Sequence, residues 1–285
     1  MNLEKYGNLT SNFNLKNDNT FKIDCICQYF IIVNDINKLT ELIKYLKTEQ
    51  IKYLVIGGGS NIILPSSYNG VVIKLDLTEL VINEEVIEVG AGYYLNKLAN
   101  ETINLGLQGL EWAAGIPGQI GGSVVSNAGA YKHEIMDYVI KLDVLEDNEI
   151  KTLSNCEIKY GYRETNLKDK IVLKAYLKLK KADKEELITL VRENTQKRIS
   201  SQPLEYPSVG SIFRNPEGNY AGKLIEEAGL KGLEIGGAQV SEKHANFIIN
   251  KNNATSEDII NLVNHVHQKV LEVHNIDLVV EPQII

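Results

Sequence analysis

Glycine clusters mark the places where this chain can bring its backbone against a ligand. Of its 22 glycines, three are consecutive at 57–59, seven fall between Gly106 and Gly129, and seven between Gly210 and Gly237. Glycine permits positive φ and close approach of the backbone to another group, and it destabilises regular elements. The clusters therefore predict three loops at which the main chain meets a partner, although each is also compatible with an ordinary surface turn.

The first cluster follows a short apolar strand predicted at 51–56 and precedes Ser60 and Asn61. Successive backbone N–H groups in a glycine turn can form a nest that binds phosphate, and the two polar side chains add donors. The segment lacks the Gly-Lys-Ser/Thr ending of a Walker A loop and the G-x-G-x-x-G spacing of the Rossmann fingerprint. It predicts an anion-binding loop outside both motifs.

The second cluster lies in a segment, 115–131, in which almost every residue is small. Small side chains let a flat ring or a pyrophosphate lie against the main chain. The alternative is a tight crossover in which the glycines serve packing alone.

Two further segments carry polar side chains that can bind anions, although an isolated Tyr-Arg pair is more often surface packing. Arg163 ends the sequence YGYR, and its planar guanidinium suits a carboxylate or a phosphate. Residues 207–216 combine Ser211, Arg214 and Asn215 within a Gly/Pro frame. Because neither a Gly-x-Ser-x-Gly elbow nor an HExxH pattern occurs, the sequence disfavours a serine hydrolase and a zinc peptidase.

The composition excludes several classes of protein. Hydrophobic residues make up 44% and charged residues 24%, as in globular domains, and no apolar run approaches the length of a membrane span. The N-terminus has no apolar signal core, and the three cysteines include no CxxC pair, which favours a reducing cytoplasm. The net charge of −7 argues against a general binder of nucleic acids or membrane surfaces.

Hydrophobic periodicity predicts a mixture of strands and helices. Period-two alternation at 171–179 predicts a half-solvated strand, and 184–199 a charged helix. Thr255 begins a capped helix that should run to His274. Further strands are expected at 71–75, after a turn at Asn69-Gly70, and at 278–280.

Together these segments resemble the UDP-N-acetylenolpyruvoylglucosamine reductase family, flavoenzymes of early peptidoglycan synthesis, in its shorter subtype without an extra tyrosine loop. The ordered set is far more specific than any single motif and covers most of the chain from about Phe21. The matching stretches are VIGGGSN, GLEWAAGIPGQIGGSVVSNAGAY, YGYRETN, QPLEYPSVGSIFRNP, AGKLIEEAGLKGLEIGGAQVSEKHANFIIN and the late Glu281-Pro282.

The resemblance implies an α+β architecture in two parts. An FAD-binding domain of the vanillyl-alcohol-oxidase/PCMH type, with two α+β subdomains, would occupy 1–199 around a core at about 24–182. A smaller α+β substrate-binding domain would occupy 200–285. The FAD pyrophosphate would lie at 57–61 and the flavin along 115–129. The implied cofactor-binding residues are Gly57, Gly58, Gly59, Ser60, Asn61, Gly115, Ile116, Pro117, Gly118, Gly121, Gly122, Ser123, Ala128 and Gly129.

The resemblance also implies a reaction. NADPH would pass a hydride through FAD to the vinyl carbon of UDP-N-acetylglucosamine enolpyruvate, giving UDP-N-acetylmuramate. Arg163 and Glu281 would hold and polarise the substrate carboxylate, on which charge develops, and Ser211 would deliver a proton to the other carbon. The residues expected to contact the substrate are Tyr162, Arg214 and Asn215.

Two positions depart from the family pattern. Asp24-Cys25 replaces a usual glycine pair and could place a negative charge near an anionic cofactor, and Gln119 stands where a small hydroxyl residue is more usual. Two alternatives therefore stay open: another FAD-dependent oxidoreductase or oxidase of the same superfamily, and a flavin-free paralogue that binds a nucleotide sugar.

The remaining expectations concern the setting of the protein. The resemblance implies a role in peptidoglycan precursor synthesis, and through it in cell-wall biogenesis, cell shape, cell division and the cell cycle. We expect a cytoplasmic monomer that binds a nucleotide sugar and NADPH, and that has no metal, nucleic-acid or membrane partner.

Overall fold

The computed structural model describes residues 2–285, which separate into two compact units. Each unit is assembled from three pieces of the chain. The first contains residues 2–12, 28–58 and 69–195, and the second contains 13–27, 59–68 and 196–285. Helices and strands alternate through both, which confirms the α+β class.

The helices and strands are numbered in chain order. The α-helices are α1 (Ile36–Thr48), α2 (Leu95–Asn104), α3 (Ile120–Val125), α4 (Lys184–Ser201), α5 (Ala221–Glu227) and α6 (Ser256–His274). Short 3-10 helices lie at Glu4–Tyr6, Leu15–Asp18, Glu111–Ala113, Ile135–Asp137 and Asn155–Glu157. The strands are β1 (Asn8–Asn14), β2 (Ile26–Val33), β3 (Tyr53–Ile56), β4 (Ile62–Ile63), β5 (Ser67–Leu75), β6 (Leu80–Asn83), β7 (Val86–Gly90), β8 (Leu107–Gln108), β9 (Gly129–Ala130), β10 (His133–Glu134), β11 (Val139–Glu146), β12 (Glu149–Ser154), β13 (Tyr160–Gly161), β14 (Glu164–Thr165), β15 (Ile171–Lys178), β16 (Lys180–Lys181), β17 (Glu234–Ile235), β18 (Ala238–Val240), β19 (Ile248–Asn250) and β20 (Gln283–Ile284).

Two sheets form the framework of the first unit. One has the order β1-β2-β5-β3, with β3 parallel to β5. The other has the order β12-β11-β15-β7-β6 and is antiparallel throughout. The amphipathic helix α1 begins at its N-cap Asp35, whose carboxylate accepts from the Lys38 N–H at 2.9 Å. Its apolar side joins a contiguous core with both sheets and α2, so the loops at the strand ends have a rigid base.

The second unit contains the antiparallel sheet β17-β18-β19, which contacts α6. A parallel pair joins β4 to β20, with Gln283 opposite Ile62. The side chain of Asn250 donates to the Phe21 carbonyl at 2.8 Å, which ties the N-terminal piece of this unit to its C-terminal sheet. Residues distant in the sequence therefore share one compact body.

Most of the predicted elements are confirmed, and two are wrong. The predicted helices form as α4 and α6, and Thr255 and Asp258 make a capping box at the start of α6. Asn69-Gly70 is no turn, since both residues lie inside β5, where pairing within the sheet outweighs their turn preference. At 278–280 only a single bridge forms, from Val280 to Phe213, instead of a strand.

Among residues 2–285, no helix combines the length and the apolar character needed to cross a bilayer.

Candidate active site

The loop after β3 leaves a row of backbone donors without partners. Over residues 2–285, the N–H groups of Gly58, Gly59, Ser60 and Asn61 form no hydrogen bond within the chain. Consecutive N–H groups of this kind make a concave site for the oxygens of a phosphate. The loop therefore has the donors that the sequence predicted for it.

The backbone conformation and the close surroundings of Gly59 also favour glycine at this position. Its φ is +63°, and a Cβ there would lie 2.1 Å from the Asp18 carbonyl oxygen. The Gly59 carbonyl in turn accepts from the Thr20 N–H at 3.0 Å. The turn at 18–20 thus fixes this end of the loop, within the second unit.

The structure brings the first and second glycine segments together in the first unit. A Cβ on Gly58 would lie 3.1 Å from the Cα of Gly118, and one on Gly57 would lie 3.5 Å from Gln119 Oε1. The contact at Gly58 is a close approach of two backbones that the missing side chains permit, whereas the contact at Gly57 is an ordinary one with a side chain. The predicted phosphate loop and the predicted ring-binding segment therefore have adjoining main chains.

Gly122 differs from these glycines because no atom of residues 2–285 occupies the space of its missing side chain. It lies in α3 and is exposed, and no atom comes within 4 Å of an ideal Cβ built there. A glycine inside a helix costs about 1 kcal/mol relative to alanine. The space beside Gly122 is exposed to solvent, and it leaves room for a bound group next to the backbone.

The other predicted residues of this segment mostly serve its own fold. The Ser123 hydroxyl donates to the Gln119 carbonyl at 2.8 Å. A Cβ on Gly129 would lie 2.3 Å from the His133 carbonyl oxygen, and one on Gly121 would lie 3.0 Å from the Cβ of Ala91. These positions shape the segment whether or not a ligand is bound. The remaining predicted residues in it are Gly115, Ile116, Pro117 and Ala128.

Arg163 occupies the tip of a two-residue hairpin in the first unit. Gly161 pairs with Glu164 across the β13–β14 turn, and Arg163 has a φ of +61°. A residue other than glycine in this left-handed region is strained by roughly 1–3 kcal/mol, and such strain concentrates at functional sites. Twelve described residues other than glycine have a positive φ, Arg163 among them, so this conformation alone assigns the arginine no function.

Hydrogen bonds attach this hairpin to the segment 125–129. The Arg163 Nη2 donates to the Gly129 carbonyl, and the Asn127 Nδ2 donates to the Gly161 carbonyl at 2.9 Å. The Thr165 hydroxyl donates to the Val125 carbonyl at 2.7 Å. The predicted carboxylate-binding arginine is therefore bonded to the predicted cofactor-binding segment.

Ser211 and Glu281 lie on neighbouring extended segments in the second unit. The Glu281 N–H donates to the Ile212 carbonyl at 2.8 Å, so Glu281 is aligned with the residue after Ser211. Ser211 itself bridges to Phe247 on its other side. The structure thus brings two of the three predicted catalytic residues together, and both are half-buried.

A buried asparagine supports these segments. The Asn246 carboxamide accepts from the Phe213 N–H at 3.0 Å and donates to the Phe213 carbonyl at 2.8 Å. The Asn246 side chain therefore makes the two hydrogen bonds to Phe213 that the backbone of a neighbouring strand would otherwise make. This geometry fixes the main chain that carries the hydroxyl.

The predicted substrate contacts have mixed surroundings. Tyr162 is 49% exposed, beside the Arg163 guanidinium, whose Cζ lies 5.0 Å from its ring centroid. The Asn215 Oδ1 accepts from the Ala221 N–H at 3.0 Å, so part of its role is to hold the start of α5. The Arg214 N–H donates to the Val279 carbonyl at 2.9 Å.

The two departures from the family pattern are accommodated in the structure. Asp24 is exposed and pairs with Asn14 Nδ2 at 2.7 Å and Lys16 Nζ at 2.9 Å. The hydrogen bond from Asn14, followed by that from Lys16, lowers the pKa of the Asp24 carboxyl. The charge is therefore paired locally. The buried Gln119 amide donates to the Gly92 carbonyl at 2.8 Å, which anchors the segment before α3.

Comparison with known proteins agrees with this arrangement. Residues 27–153 match the model of an FAD binding domain, and residues 202–285 match that of the UDP-N-acetylenolpyruvoylglucosamine reductase C-terminal domain. A curated protein of that name from Caldanaerobacter subterraneus subsp. tengcongensis is 42% identical over 99% of this chain and 95% of its own. The chain belongs to the UDP-N-acetylenolpyruvoylglucosamine reductase family. The Bacillus subtilis member is 39% identical over 98% of this chain and 94% of its own.

Solved structures place the fold in the same family. The crystal structure of the reductase from Thermus caldophilus has a TM-score of 0.83 and 32% identity, and the match covers 97% of this chain and 98% of that one. The glucose dehydrogenase Phl p 4.0202 has a TM-score of 0.50 at 11% identity, over 64% of this chain and 44% of that one. The second likeness concerns the fold alone.

The residues of the chain fit the FAD that the family uses. The donors of the loop 58–61 suit a pyrophosphate, and the open side of Gly122 leaves room beside the backbone. Both features lie in segments that the sequence had singled out.

Sequence reasoning missed the two asparagines that hold the candidate segments. Asn127 and Asn246 lie inside the quoted motifs SNAGAY and KHANFIIN, but nothing in the local pattern separates them from the many other asparagines. Both are buried, at 0% and 4% exposed, as Asn19, Asn194 and Asn250 also are. Their hydrogen bonds to the candidate segments distinguish them, and these bonds depend on the tertiary structure.

Proposed function

We propose that the chain reduces UDP-N-acetylglucosamine enolpyruvate to UDP-N-acetylmuramate, with FAD as cofactor and NADPH as reductant. The observation that carries the proposal is the 42% identity to a reductase over 99% of the chain. The alternatives of an oxidase and of a flavin-free paralogue have no comparable support. The donor-lined loop and Gly122 favour a chain that still binds its cofactor.

Two groups of residues would hold FAD. The N–H groups of the loop 57–61 would bind its pyrophosphate, and the segment 115–129 would lie along its ring. Bound FAD supplies hydride transfer from NADPH to the vinyl carbon of the substrate. The proposed cofactor-binding residues are Gly57, Gly58, Gly59, Ser60, Asn61, Gly115, Ile116, Pro117, Gly118, Gly121, Gly122, Ser123, Ala128 and Gly129.

Arg163 and Glu281 are proposed to bind the substrate carboxylate. Reduction of the vinyl group moves negative charge into that carboxylate, and fixed donors stabilise the charge more as it grows. The guanidinium has five N–H donors in a planar fork, which suits a carboxylate. Glu281 assists next to a carboxylate when it is protonated or when a cation offsets its charge.

Ser211 is proposed to supply the proton. Its Oγ–H would protonate the carbon next to the carboxylate while the hydride adds to the vinyl carbon. A hydroxyl is a weak acid in water, but a strongly basic carbon needs only a well-placed proton. Asn246 supports this role, because it fixes the backbone beside Ser211.

The remaining assignments are also proposals. Residues 1–199, around a core at about 24–182, would bind FAD, and residues 200–285 would bind the nucleotide sugar. Tyr162, Arg214 and Asn215 would contact it. We further propose a cytoplasmic monomer that acts in cell-wall growth, and so in cell shape, division and the cell cycle, without nucleic-acid or membrane partners.

The visible absorption spectrum tests the function directly. The purified protein, reconstituted with FAD, is expected to be yellow and to bleach with NADPH. The colour should return under anaerobic conditions only when the enolpyruvyl nucleotide sugar is added, with one product molecule formed per NADPH. UDP-N-acetylglucosamine, which lacks the enolpyruvyl group, is the matched control.

Two results would overturn the proposal. A protein that binds no FAD would be a flavin-free paralogue. A flavoprotein that NADPH bleaches, but that oxygen reoxidises and the enolpyruvyl substrate does not, would be an oxidase.

A further inference from the structure

We propose that Asn127 is a positioning residue for Arg163. Its carboxamide fixes the hairpin β13–β14, and through the hairpin it sets the direction of the arginine. The inference rests on the proposed function, since it concerns the arginine that would bind the substrate carboxylate.

Both ends of the Asn127 side chain are engaged. The Nδ2 donates to the Gly161 carbonyl at 2.9 Å, and the Oδ1 accepts from the Met136 N–H at 3.3 Å. The residue is 0% exposed. Because donor and acceptor differ at the two ends of an amide, rotating it would lose both bonds. The carboxamide therefore joins the hairpin to the 3-10 helix Ile135–Asp137 in one orientation.

The hairpin needs this support because it is very short. It has two residue pairs, Tyr160 with Thr165 and Gly161 with Glu164. An isolated two-stranded hairpin is marginal in water even when it is longer. Its tip also holds Arg163 in the left-handed region. Bonds from outside the hairpin must therefore keep the tip in place.

The outside bonds follow a regular spacing. Alternate residues of the supporting segment each bond to the hairpin: the Val125 carbonyl accepts from Thr165, Asn127 donates to Gly161, and the Gly129 carbonyl accepts from Arg163. The contacts progress from the base of the hairpin to its tip. Asn127 is the middle contact, and it is bonded to the residue directly before the tip.

A simpler role for Asn127 has to be separated from this one. Its φ is +46° just after α3, where asparagine and glycine are both favoured as helix-ending residues. Asn127→Gly keeps that backbone preference and removes only the carboxamide. Asn275 offers a matched control, since it ends α6 with a φ of +54° and its side chain is exposed.

The test compares Asn127→Gly and Asn275→Gly with the wild-type FAD-bound enzyme. We expect Asn127→Gly to lower kcat with the enolpyruvyl substrate by about 10- to 100-fold, as a displacement near 1 Å would. FAD content and the rate of bleaching by NADPH are measured on the same samples, and the loss of kcat should exceed any loss in either, because the arginine is proposed to act on the substrate. Asn275→Gly should match wild type in all three.

A double-mutant cycle with Arg163→Ala tests whether Asn127 acts through the arginine. In the Arg163→Ala background, Asn127→Gly should change kcat by less than about twofold, because the group that it positions is gone. A full and independent loss in that background would overturn the proposal, and so would unchanged kcat in Asn127→Gly alone.

Hydrogen–deuterium exchange supplies a readout that does not depend on activity. In Asn127→Gly the amides of 159–166 should exchange at least about tenfold faster, and Asn275→Gly should leave them unchanged. Unchanged exchange at 159–166 would overturn the role of Asn127 even if the wild-type enzyme is fully active. Absence of substrate-dependent NADPH oxidation in wild type would instead overturn the proposed function.

Discussion

The two compact units hold their candidate residues by different means. In the first unit the candidates are mainly backbone atoms of glycine-rich segments, together with an arginine on a hairpin that side chains tie down. In the second unit Ser211 and Glu281 lie on extended segments that are aligned by main-chain hydrogen bonds. The first arrangement lets a ligand approach the backbone, and the second fixes the main chains that carry Ser211 and Glu281 next to each other. We therefore expect substitutions in the glycine-rich segments to affect FAD binding, and substitution of Ser211 to affect product formation.

The largest effect is expected from the second unit. Ser211→Ala removes the proposed proton donor and should lower kcat by about 10²–10⁴-fold. FAD content and bleaching by NADPH should be retained, because the hydroxyl acts only on the substrate. Single-turnover measurement of product formation from the NADPH-reduced enzyme checks this prediction.

Ser208→Ala is the matched control for this variant, since it removes a serine hydroxyl from the same segment. It should leave the rate of product formation unchanged. Near-normal turnover of Ser211→Ala would show that Ser211 is not the proton donor. Loss of FAD from that variant would show that a change in the second unit also affects cofactor binding.

An intermediate effect is expected from Gly122 in the first unit. Gly122→Leu places its Cβ at a point where no atom of the described residues lies within 4 Å. The apoprotein should be at least as stable as wild type, because leucine favours a helix by close to 1 kcal/mol over glycine. The Kd for FAD should rise by about tenfold or more. Thermal unfolding of the apoprotein and FAD titration measure the two quantities separately.

Gly129→Ala supplies the contrast within the same segment. Its Cβ would lie 2.3 Å from the His133 carbonyl oxygen, so the apoprotein should lose about 1–3 kcal/mol of stability. If Gly122→Leu instead destabilised the apoprotein and bound FAD normally, the open space at Gly122 would have no connection with the cofactor.

The smallest effect concerns thiol reactivity. Burial raises the pKa of the Cys25 thiol to about 11 and also raises that of Cys27, both in the second unit. Only the thiolate reacts, and at pH 8 a thiol with that pKa is ionised in about one molecule in 1000. Cys156, in the first unit, is exposed. We expect a disulfide reagent to modify Cys156 alone in the native protein.

Unfolding in denaturant should release the other two thiols, and Cys156→Ser should abolish the native reaction. Rapid modification of Cys25 in the folded protein would show that the segment 13–27 opens readily.

Local pattern predicted the helices better than the short strands. The capping box at Thr255 and the amphipathic pattern after it sufficed for α6, because a helix is stabilised by residues close in sequence. Asn69-Gly70 favours a turn locally, yet both residues belong to β5, whose pairing partners are distant in the chain. The order of the motifs predicted the family, because each motif is itself a local pattern.

The sequence by itself determined where backbone can meet a ligand, since glycine imposes that property on its own position. The proposed roles of Arg163, Glu281 and Ser211 come from the family resemblance, which the order of the local motifs carries. Only the tertiary structure decided that Gly58 meets Gly118, that Glu281 is hydrogen-bonded to Ile212 next to Ser211, and that Asn127 is bonded to the arginine hairpin. These contacts join residues far apart in the chain, and their formation depends on how the sheets and the core bring those residues together.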